Sequence, residues 1–168
     1  MTTDLLAFAT INNTEKEPIN LSLNDLLEEV SLILLDSINE KKATLNLPEM
    51  DFSIVGHKRQ YIQLFQNLIS NSIKYQAENN KPIVTIQTKK EGEQIFVSVI
   101  DNGIGIPKEY LQLIFKPFKR LHNKTQYEGS GIGLATCATI IESLQSKFVV
   151  TSQEGEGSNF SFYLPLAK

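Results

Sequence analysis

Two short glycine-rich segments constrain the fold of this 168-residue chain more than any other feature. The first, DNGIGIP, spans 101–107 and follows an alternating run of residues, whereas the second, EGSGIGLA, spans 128–135 and opens a long apolar run. Glycine permits positive φ angles and close approach of other backbone, so the first segment predicts a tight loop at the end of a strand. The second predicts a helix that begins at glycines.

Hydrophobic periodicity predicts the elements around these segments. Apolar residues recur at helical spacing in three stretches, 24–42, 57–76 and 132–144, and 108–115 predicts a further short helix. Ser22 or Asn24 would cap the first of them. Alternating or short apolar runs predict strands, some of them paired in hairpins: 44–47, 52–55, 83–88 with 94–101, and 148–151 with 159–164. We therefore expect an α+β fold, a two-layer sandwich with the helices on one face of a sheet.

Composition excludes several classes of protein. The length suits one domain, and the single cysteine, Cys137, lies in an apolar run, which predicts a buried thiol and an intracellular setting. A net charge of −3, with lysines scattered along the chain, argues against a nucleic-acid surface. No apolar run approaches the roughly 20 residues of a membrane-spanning helix, and no secretory signal is visible. We expect a cytoplasmic chain that makes no membrane contact itself.

The second predicted helix carries a polar stripe. Asn67, Asn71 and Lys74 lie at i, i+4 and i+7, with Tyr75 one residue further, so all four can face one side. Amide oxygens suit Mg²⁺, which takes its remaining ligands from water and phosphates. The lysine would neutralise a phosphate, and the tyrosine would pack on a base. An ordinary solvated helix face would show the same pattern.

The segment DNGIGIP predicts a site for adenine. Asp101 would end a strand, where its carboxylate could accept the amino group of adenine but would repel the carbonyl of guanine. Gly103 and Gly105 would let backbone approach a flat ring, and Pro107 would stiffen the exit. A plain turn that begins Asp-Asn-Gly is the alternative.

The segment EGSGIGLA predicts an anion site. Backbone N–H groups at the start of a helix have no partner within the helix and favour phosphate; here they belong to Gly131, Ile132, Gly133 and Leu134. Ser130 adds a hydroxyl donor. The string is neither a P-loop nor a Rossmann fingerprint, and a helix start packed closely on a neighbour is the alternative.

The polar connection between the two segments is too long for a compact domain, which is typical of a functional lid. Phe115 and Phe118 bracket Pro117 and would anchor its base. The connection is basic, as a lid over a triphosphate would be, through Lys116, Lys119, Arg120, His122 and Lys124. A solvated surface loop is the alternative.

Five motifs in this order resemble those of the Bergerat-fold ATPases, the gyrase, chaperone, histidine kinase and mismatch-repair superfamily, and specifically the ATP-binding domain of sensor histidine kinases. The resemblance covers nearly the whole chain. It is carried by an N box, a first glycine box, an F box, a second glycine box and a closing hairpin: FQNLISNSIKY (65–75), DNGIGIP (101–107), FKPF (115–118), EGSGIGLA (128–135) and GEGSNFSFYLP (155–165).

The resemblance implies a mixed, mostly antiparallel five-stranded sheet under three helices, with Mg²⁺-ATP between the N-box helix and the lid. Asn71 would be the main Mg²⁺ ligand and Asn67 its neighbour. The other implied nucleotide contacts are Lys74, Tyr75 and Asp101, the loop residues Gly103, Gly105 and Ile106, Arg120 and His122 at the terminal phosphates, Ser130 to Leu134 at the second glycine box, and Ser158 near adenine through water.

The resemblance also indicates a reaction. Hydrolytic relatives such as gyrase carry a glutamate where this chain has Asn67, and an amide cannot act as a general base. Phosphoryl transfer needs mainly positioning and charge neutralisation, so Asn67, Lys74 and Arg120 are the expected catalytic residues. The phosphate acceptor of the family is a histidine on a helical dimerisation domain, and a response regulator acts downstream. Neither His57 nor His122 matches the acceptor pattern, and His57 is expected to cap the N-box helix instead.

We therefore expect residues 18–168 to be the ATP-binding domain, and residues 1–17 to be a linker or the end of a helical dimerisation domain. An anti-sigma-factor-type serine kinase and a non-catalytic nucleotide sensor remain alternatives. Gln145-Ser146 departs from the family, which often has Gly-Gly there, so the geometry of that turn is open.

Overall fold

A computed structural model describes residues 17–116 and 133–168. Within these residues the chain forms seven strands, four α-helices and a 3-10 turn at Lys108–Tyr110. The strands and helices, in chain order, are β1 (Ile19–Ser22), α1 (Leu23–Ile33), α2 (Leu35–Lys41), β2 (Thr44–Asn46), β3 (Ser53–Gly56), α3 (Lys58–Lys74), β4 (Ile83–Glu91), β5 (Gln94–Asp101), α4 (Gly133–Ser143), β6 (Val149–Gln153) and β7 (Gly157–Pro165). None of these helices has the length and apolar character needed to cross a membrane.

The main sheet has five strands in the order β2-β4-β5-β7-β6. β2 pairs with β4 in parallel, and every other pair of neighbours is antiparallel. Both expected hairpins form, and the turn between β4 and β5 uses Gly92 at a φ of 64°. The expectation of an α+β fold with a mixed, mostly antiparallel five-stranded sheet is confirmed.

A second, two-stranded sheet was not expected. β1 pairs antiparallel with β3, from Ile19 opposite Gly56 to Ser22 opposite Ser53. The run 52–55 is therefore a strand as expected, but it lies outside the main sheet. The C-terminal end of the chain joins the two sheets, because the Ala167 amide donates to the carbonyl of Ser53 at 2.9 Å.

The first helical stretch differs from the expectation of one continuous helix. It is divided at Leu34, which has a φ of −95° and a ψ of 9°, so the described residues hold four α-helices where three were expected. Val30, Leu34 and Ile38 stay four residues apart across the break, and Leu34 is buried. The hydrophobic pattern depends only on the spacing of apolar side chains. Because this spacing continues through the break, the pattern predicts one continuous helix.

The core lies between α3 and the sheet. Phe65, Leu68 and Ile69 of α3 are buried as expected, while Ile62 is only half-buried. The ring of Phe65 meets the ring of Phe162 on β7 with 5.8 Å between centroids. Cys137 of α4 is completely buried, and burial raises the pKa of its thiol to about 12, although a hydrogen bond with Asn67 opposes the rise. The expectation of a buried cysteine is confirmed.

The start of α1 is capped by two side chains. Ser22 is the N-cap, as one of the two expected candidates, and its Oγ accepts from the Asp25 amide at 3.1 Å. Asp51, from a distant loop, accepts from the Ser22 hydroxyl at 2.6 Å and from the Asn24 amide at 2.9 Å. Partial burial acts to raise the pKa of Asp51, but these and two further backbone hydrogen bonds outweigh it and leave the pKa below its ordinary value of 3.8.

The turn after α4 keeps its shape without glycine. Gln145 takes the left-handed conformation, with a φ of 58°, and the Ser146 amide donates to the carbonyl of Ile141 at 3.1 Å, which is the usual helix ending with a left-handed residue. The Ser146 hydroxyl accepts from the Tyr163 amide at 3.1 Å, a contact that glycine would lack. A left-handed helix ending therefore forms at Gln145-Ser146 without glycine.

We predict that Asp51→Ala lowers the free energy of unfolding by about 1 kcal/mol near pH 7, the usual cost of a lost helix cap. Because the folded pKa lies below the unfolded one, the contribution of Asp51 is present above the ordinary value of 3.8 and is lost as pH falls through the folded pKa. Urea titrations of wild type and variant at several pH values check both statements. Glu49→Ala, in the same loop, is the control and should cost little; an equal cost in both variants would contradict the cap.

We predict that Gln145→Gly raises the free energy of unfolding by about 0.5–1 kcal/mol, because glycine takes the left-handed conformation without the clash of a Cβ atom. Thermal and urea unfolding measure the change. Gln145→Ala removes the same polar group but keeps the Cβ atom, and it should show no gain. A gain of equal size in the alanine variant would assign the effect to the side chain rather than to the backbone.

Candidate active site

The polar residues of α3 lie along one edge of the helix, each half-buried. Asn67 bridges α3 to the first residue of α4: its Nδ2 donates to the carbonyl of Gly133 at 3.1 Å, and its Oδ1 accepts from the Gln63 side chain at 3.1 Å. The structure thus brings the expected Mg²⁺ neighbour to the start of the expected anion-binding helix, although both ends of its amide are engaged in protein contacts.

Asn71 is placed differently from Asn67. Among residues 17–116 and 133–168, its side chain has no hydrogen-bond partner, so its amide oxygen can accept an external ligand. The same residues contain no group of three or more His, Cys, Asp or Glu side chains that could hold a metal ion. One neutral oxygen ligand without a protein cage fits Mg²⁺ that is held chiefly by phosphates and water.

The end of α3 joins the first glycine loop. The Nζ of Lys74 lies 4.8 Å from the centroid of the Tyr75 ring, a cation–π contact that holds the ammonium at the end of the helix. Tyr75 is the C-terminal cap, and its carbonyl accepts from the Ile104 amide at 3.1 Å. The loop that follows β5 is thereby fastened beside the polar edge of α3.

Asp101 lies at the centre of this arrangement. Its Oδ1 accepts from the backbone amides of Gly103 at 2.8 Å and Ser158 at 3.3 Å, and its Oδ2 lies 3.3 Å from the Ser72 hydroxyl of α3. Burial raises the pKa of Asp101 above its ordinary value, and these three hydrogen bonds only partly oppose the rise. The carboxylate is thus held in one orientation by groups from three elements, with acceptor capacity left at Oδ2.

The two loop glycines are required by close backbone. A Cβ atom at Gly103 would overlap the carbonyl oxygen of Tyr75, and one at Gly105 would overlap the carbonyl oxygen of Gln153. Gly105 also has a φ of 73°, in the left-handed region. The close approach of neighbouring backbone therefore requires glycine at both positions.

Sequence reasoning missed three polar residues around the loop. Asn102 accepts from the Ile83 amide at 2.8 Å and donates to the carbonyl of Lys81 at 3.0 Å, so it fastens the segment between α3 and β4. Ser72 reaches Asp101, and Ser152 of β6 accepts from the Ile106 amide at 2.8 Å. A small buried serine next to Asn71 was the available signal for Ser72, whereas no local pattern marks a contact made across 46 residues.

Several expected site residues lie outside the described residues: Arg120, His122, Ser130, Gly131 and Ile132. The same holds for Pro117 and Phe118, whereas Phe115 is described and stacks on Phe148 with 5.0 Å between ring centroids. Leu134, in the first turn of α4, is half-buried against the core. His57 takes the N-cap position of α3, but its side chain makes no cap hydrogen bond, so only its position matches the expectation.

Comparison with known proteins gives the family of this domain. Residues 56–168 match the family described as "Histidine kinase-, DNA gyrase B-, and HSP90-like ATPase". The chain belongs to this family. Among solved structures, the catalytic domain of histidine kinase ThkA superposes with a TM-score of 0.76 at 27% identity, covering 89% of this chain and 96% of that one.

Two cyanobacterial proteins are similar in sequence. Phytochrome-like protein Cph1 of Synechocystis sp. is 32% identical over 163 residues, or 97% of this chain and 22% of that protein. Cyanobacterial phytochrome A of Nostoc sp. is 43% identical over 114 residues, or 68% of this chain and 15% of that protein. The matched regions therefore span 22% and 15% of the length of these two relatives.

We predict that Gly105→Ala is more destabilising than Gly92→Ala by about 1–3 kcal/mol. Both glycines have positive φ, 73° and 64°, so both variants bear the same backbone cost, but Gly92 has open space where a Cβ would stand. Only Gly105→Ala adds an overlap with backbone, which must be relieved by moving the loop. Chemical unfolding of the two variants measures the difference, and equal costs would show that the loop moves freely away from β6.

Proposed function

We propose that this chain binds Mg²⁺-ATP and donates the γ-phosphate to a histidine on a separate helical domain, as the catalytic domain of a two-component sensor histidine kinase. The observation that carries the proposal is the Asp101 carboxylate, oriented by two backbone amides and a buried serine at the end of β5. Membership of the histidine kinase-, gyrase- and HSP90-like ATPase family supports it.

Adenine recognition would depend on the different hydrogen bonds made by the two carboxylate oxygens of Asp101. Two backbone amides engage Oδ1, whereas Oδ2 has one long contact, 3.3 Å from the Ser72 hydroxyl. The free lone pair of Oδ2 would accept the amino group of adenine. Guanine would place a carbonyl oxygen at this position. The Asp101 carboxylate would then lack a hydrogen-bond donor and would face a second atom that carries negative charge. Tyr75 would flank the base, and Gly103, Gly105 and Ile106 would supply the backbone beside it.

The triphosphate would extend along the polar edge of α3 toward α4. Lys74 would neutralise phosphate charge, and Asn71 would hold Mg²⁺ with Asn67 beside it. When bound, Mg²⁺ neutralises charge on the phosphate oxygens. The oxygen of Asn67 keeps one lone pair beside the Gln63 hydrogen bond, whereas the side chain of Asn71 has no hydrogen-bond partner among the described residues, so Asn71 is the stronger candidate. Ser130 to Leu134 would offer backbone amides to the phosphates, and Arg120 and His122 would contact the terminal ones.

The reaction would be transfer to a protein acceptor rather than hydrolysis. An amide at position 67 has no basicity with which to activate water, and its oxygen already accepts a hydrogen bond. Transfer to an incoming nucleophile needs only positioning and charge neutralisation from this chain. The nucleophile would be an imidazole on a helical dimerisation domain, and a response regulator would receive the phosphate afterwards. The similarity to a histidine kinase catalytic domain favours this acceptor over a serine.

We predict that Asp101→Asn weakens binding of a non-hydrolysable ATP analogue about 100-fold while the fold is retained. The backbone amides of Gly103 and Ser158 require an oxygen at the Oδ1 position, so the side-chain nitrogen of the variant would take the Oδ2 position. There it would face the amino group of adenine, and neither of these two donors would have an acceptor. Calorimetric titration with Mg²⁺ measures the loss, with Asp36→Asn on the exposed face of α2 as the matched control. Equal affinities in wild type and Asp101→Asn would refute the adenine site.

We predict that this chain, mixed with a separately purified helical domain carrying an acceptor histidine, transfers label from γ-labelled ATP to that domain. Phosphohistidine is acid-labile and base-stable, so treatment of the product identifies the acceptor residue. Asn71→Asp should abolish the labelling, because a carboxylate changes the charge at the Mg²⁺ ligand. Acid-stable label on a serine would refute the proposed reaction and leave the nucleotide site standing.

A further inference from the structure

We propose that Ser152 is a positioning residue for the adenine site, and that its hydroxyl makes Ser158 a hydrogen-bond acceptor toward the base. The inference rests on the proposed function, since it concerns the same adenine site. Among the described residues, no hydrogen bond joins Ser152 to Asp101 or to the polar edge of α3. Ser152 would act through Ser158 and through the backbone of the first glycine loop.

The contacts of Ser152 cross three segments of the chain. Ser152 on β6 is the cross-strand partner of Ser158 on β7, and the two hydroxyl oxygens lie 2.8 Å apart. The Ser152 oxygen also lies 2.8 Å from the amide nitrogen of Ile106 and 3.0 Å from the carbonyl oxygen of Gly157. Ser158 is buried, and its backbone amide donates to Asp101. One serine side chain thus connects the glycine loop to the residue that orients Asp101.

The donors and acceptors around Ser152 determine where the hydroxyl protons of Ser152 and Ser158 point. A hydroxyl has one proton and two acceptor lone pairs. The Ile106 amide can only donate, so it uses one lone pair of Ser152, and the Gly157 carbonyl can only accept. If Ser152 donates to Gly157, then Ser158 donates to the second lone pair of Ser152, and all four groups are satisfied. If Ser152 donated to Ser158 instead, the carbonyl of Gly157 would lose this bond. The first arrangement is favoured, because buried polar groups left unpaired are costly.

This arrangement has a consequence for base selection. With its proton directed to Ser152, the Ser158 hydroxyl presents only lone pairs to a ligand, beside a carboxylate that also only accepts. Two acceptors match the two N–H bonds of the adenine amino group, and in direct contact both oppose a carbonyl oxygen at the same position. Without the Ser152 hydroxyl, the Ser158 proton becomes free to donate to that carbonyl. Ser152 is therefore expected to contribute to the preference for adenine.

The test compares non-hydrolysable analogues of ATP and inosine triphosphate, because hypoxanthine differs from adenine at position 6 without the 2-amino group of guanine. Calorimetry in Mg²⁺ gives both Kd values for wild type, Ser152→Ala and Ser152→Thr. We expect Ser152→Ala to lower the preference for the adenine analogue about 10-fold, about the worth of one hydrogen bond. Ser152→Thr keeps the hydroxyl and should restore the preference. Thr151→Ala, exposed on the opposite face of the sheet, is the matched control and should change neither Kd.

Each result separates the two proposals. Binding of the adenine analogue by wild type decides the proposed function, and the ratio of the two Kd values decides the role of Ser152. An unchanged ratio in Ser152→Ala, with both affinities unchanged or equally reduced, would overturn the inference, because a merely structural defect lowers both. In a Ser158→Ala background, Ser152→Ala should not alter the ratio further. If Ser152→Ala does not fold, Ser158→Ala is measured instead. Ser158→Ala should lower the preference for the adenine analogue, and an unaltered ratio of the two Kd values would overturn the inference.

Discussion

The burial of α3 against the main sheet is the constraint on which the rest of this structure depends. Its apolar side, from Tyr61 to Ile73, is removed from water by the sheet and by the neighbouring helices, a gain of roughly 1.5–3 kcal/mol for each large side chain. Because that side must face the sheet, the rotation of the helix about its axis is set. The asparagines and Lys74 are then left at the margin of the core, where they remain half-buried and polar.

The same constraint fixes Asp101. A buried carboxylate is costly, and its raised pKa reflects that cost, but three donors arrive from separate elements to compensate. One comes from α3, one from the glycine loop and one from β7. The loop is held in turn by the end of α3 and by β6, through Tyr75 and Ser152. A site oriented by four packed elements keeps its geometry without a ligand, which lowers the ordering cost of binding.

Sequence reasoning succeeded where the signal is local. The three helical stretches, both hairpins, the Ser22 cap and the buried cysteine all follow from spacing or from neighbours a few residues apart. It failed where backbone geometry changes under an unbroken side-chain pattern, as at Leu34, and where an element is too short for a pattern, as in β1. Asp51, Asn102 and Ser152 could not be found from local patterns, because each makes at least one site-forming contact across roughly 20 to 50 residues of chain.

The amino-acid sequence by itself determined the class of fold, the family and the chemical types placed at the site, since periodicity, glycine spacing and motif order are properties of neighbouring residues. Only the tertiary structure decided which of those groups are free to act. Asn67 and Asn71 are alike in sequence, one helical turn apart, yet one amide bridges α3 to α4 and the other lacks a partner among the described residues. The physical reason is that the type of residue sets how many hydrogen bonds a side chain can make. Whether those bonds form depends on which distant groups the fold brings within about 3 Å of the side chain.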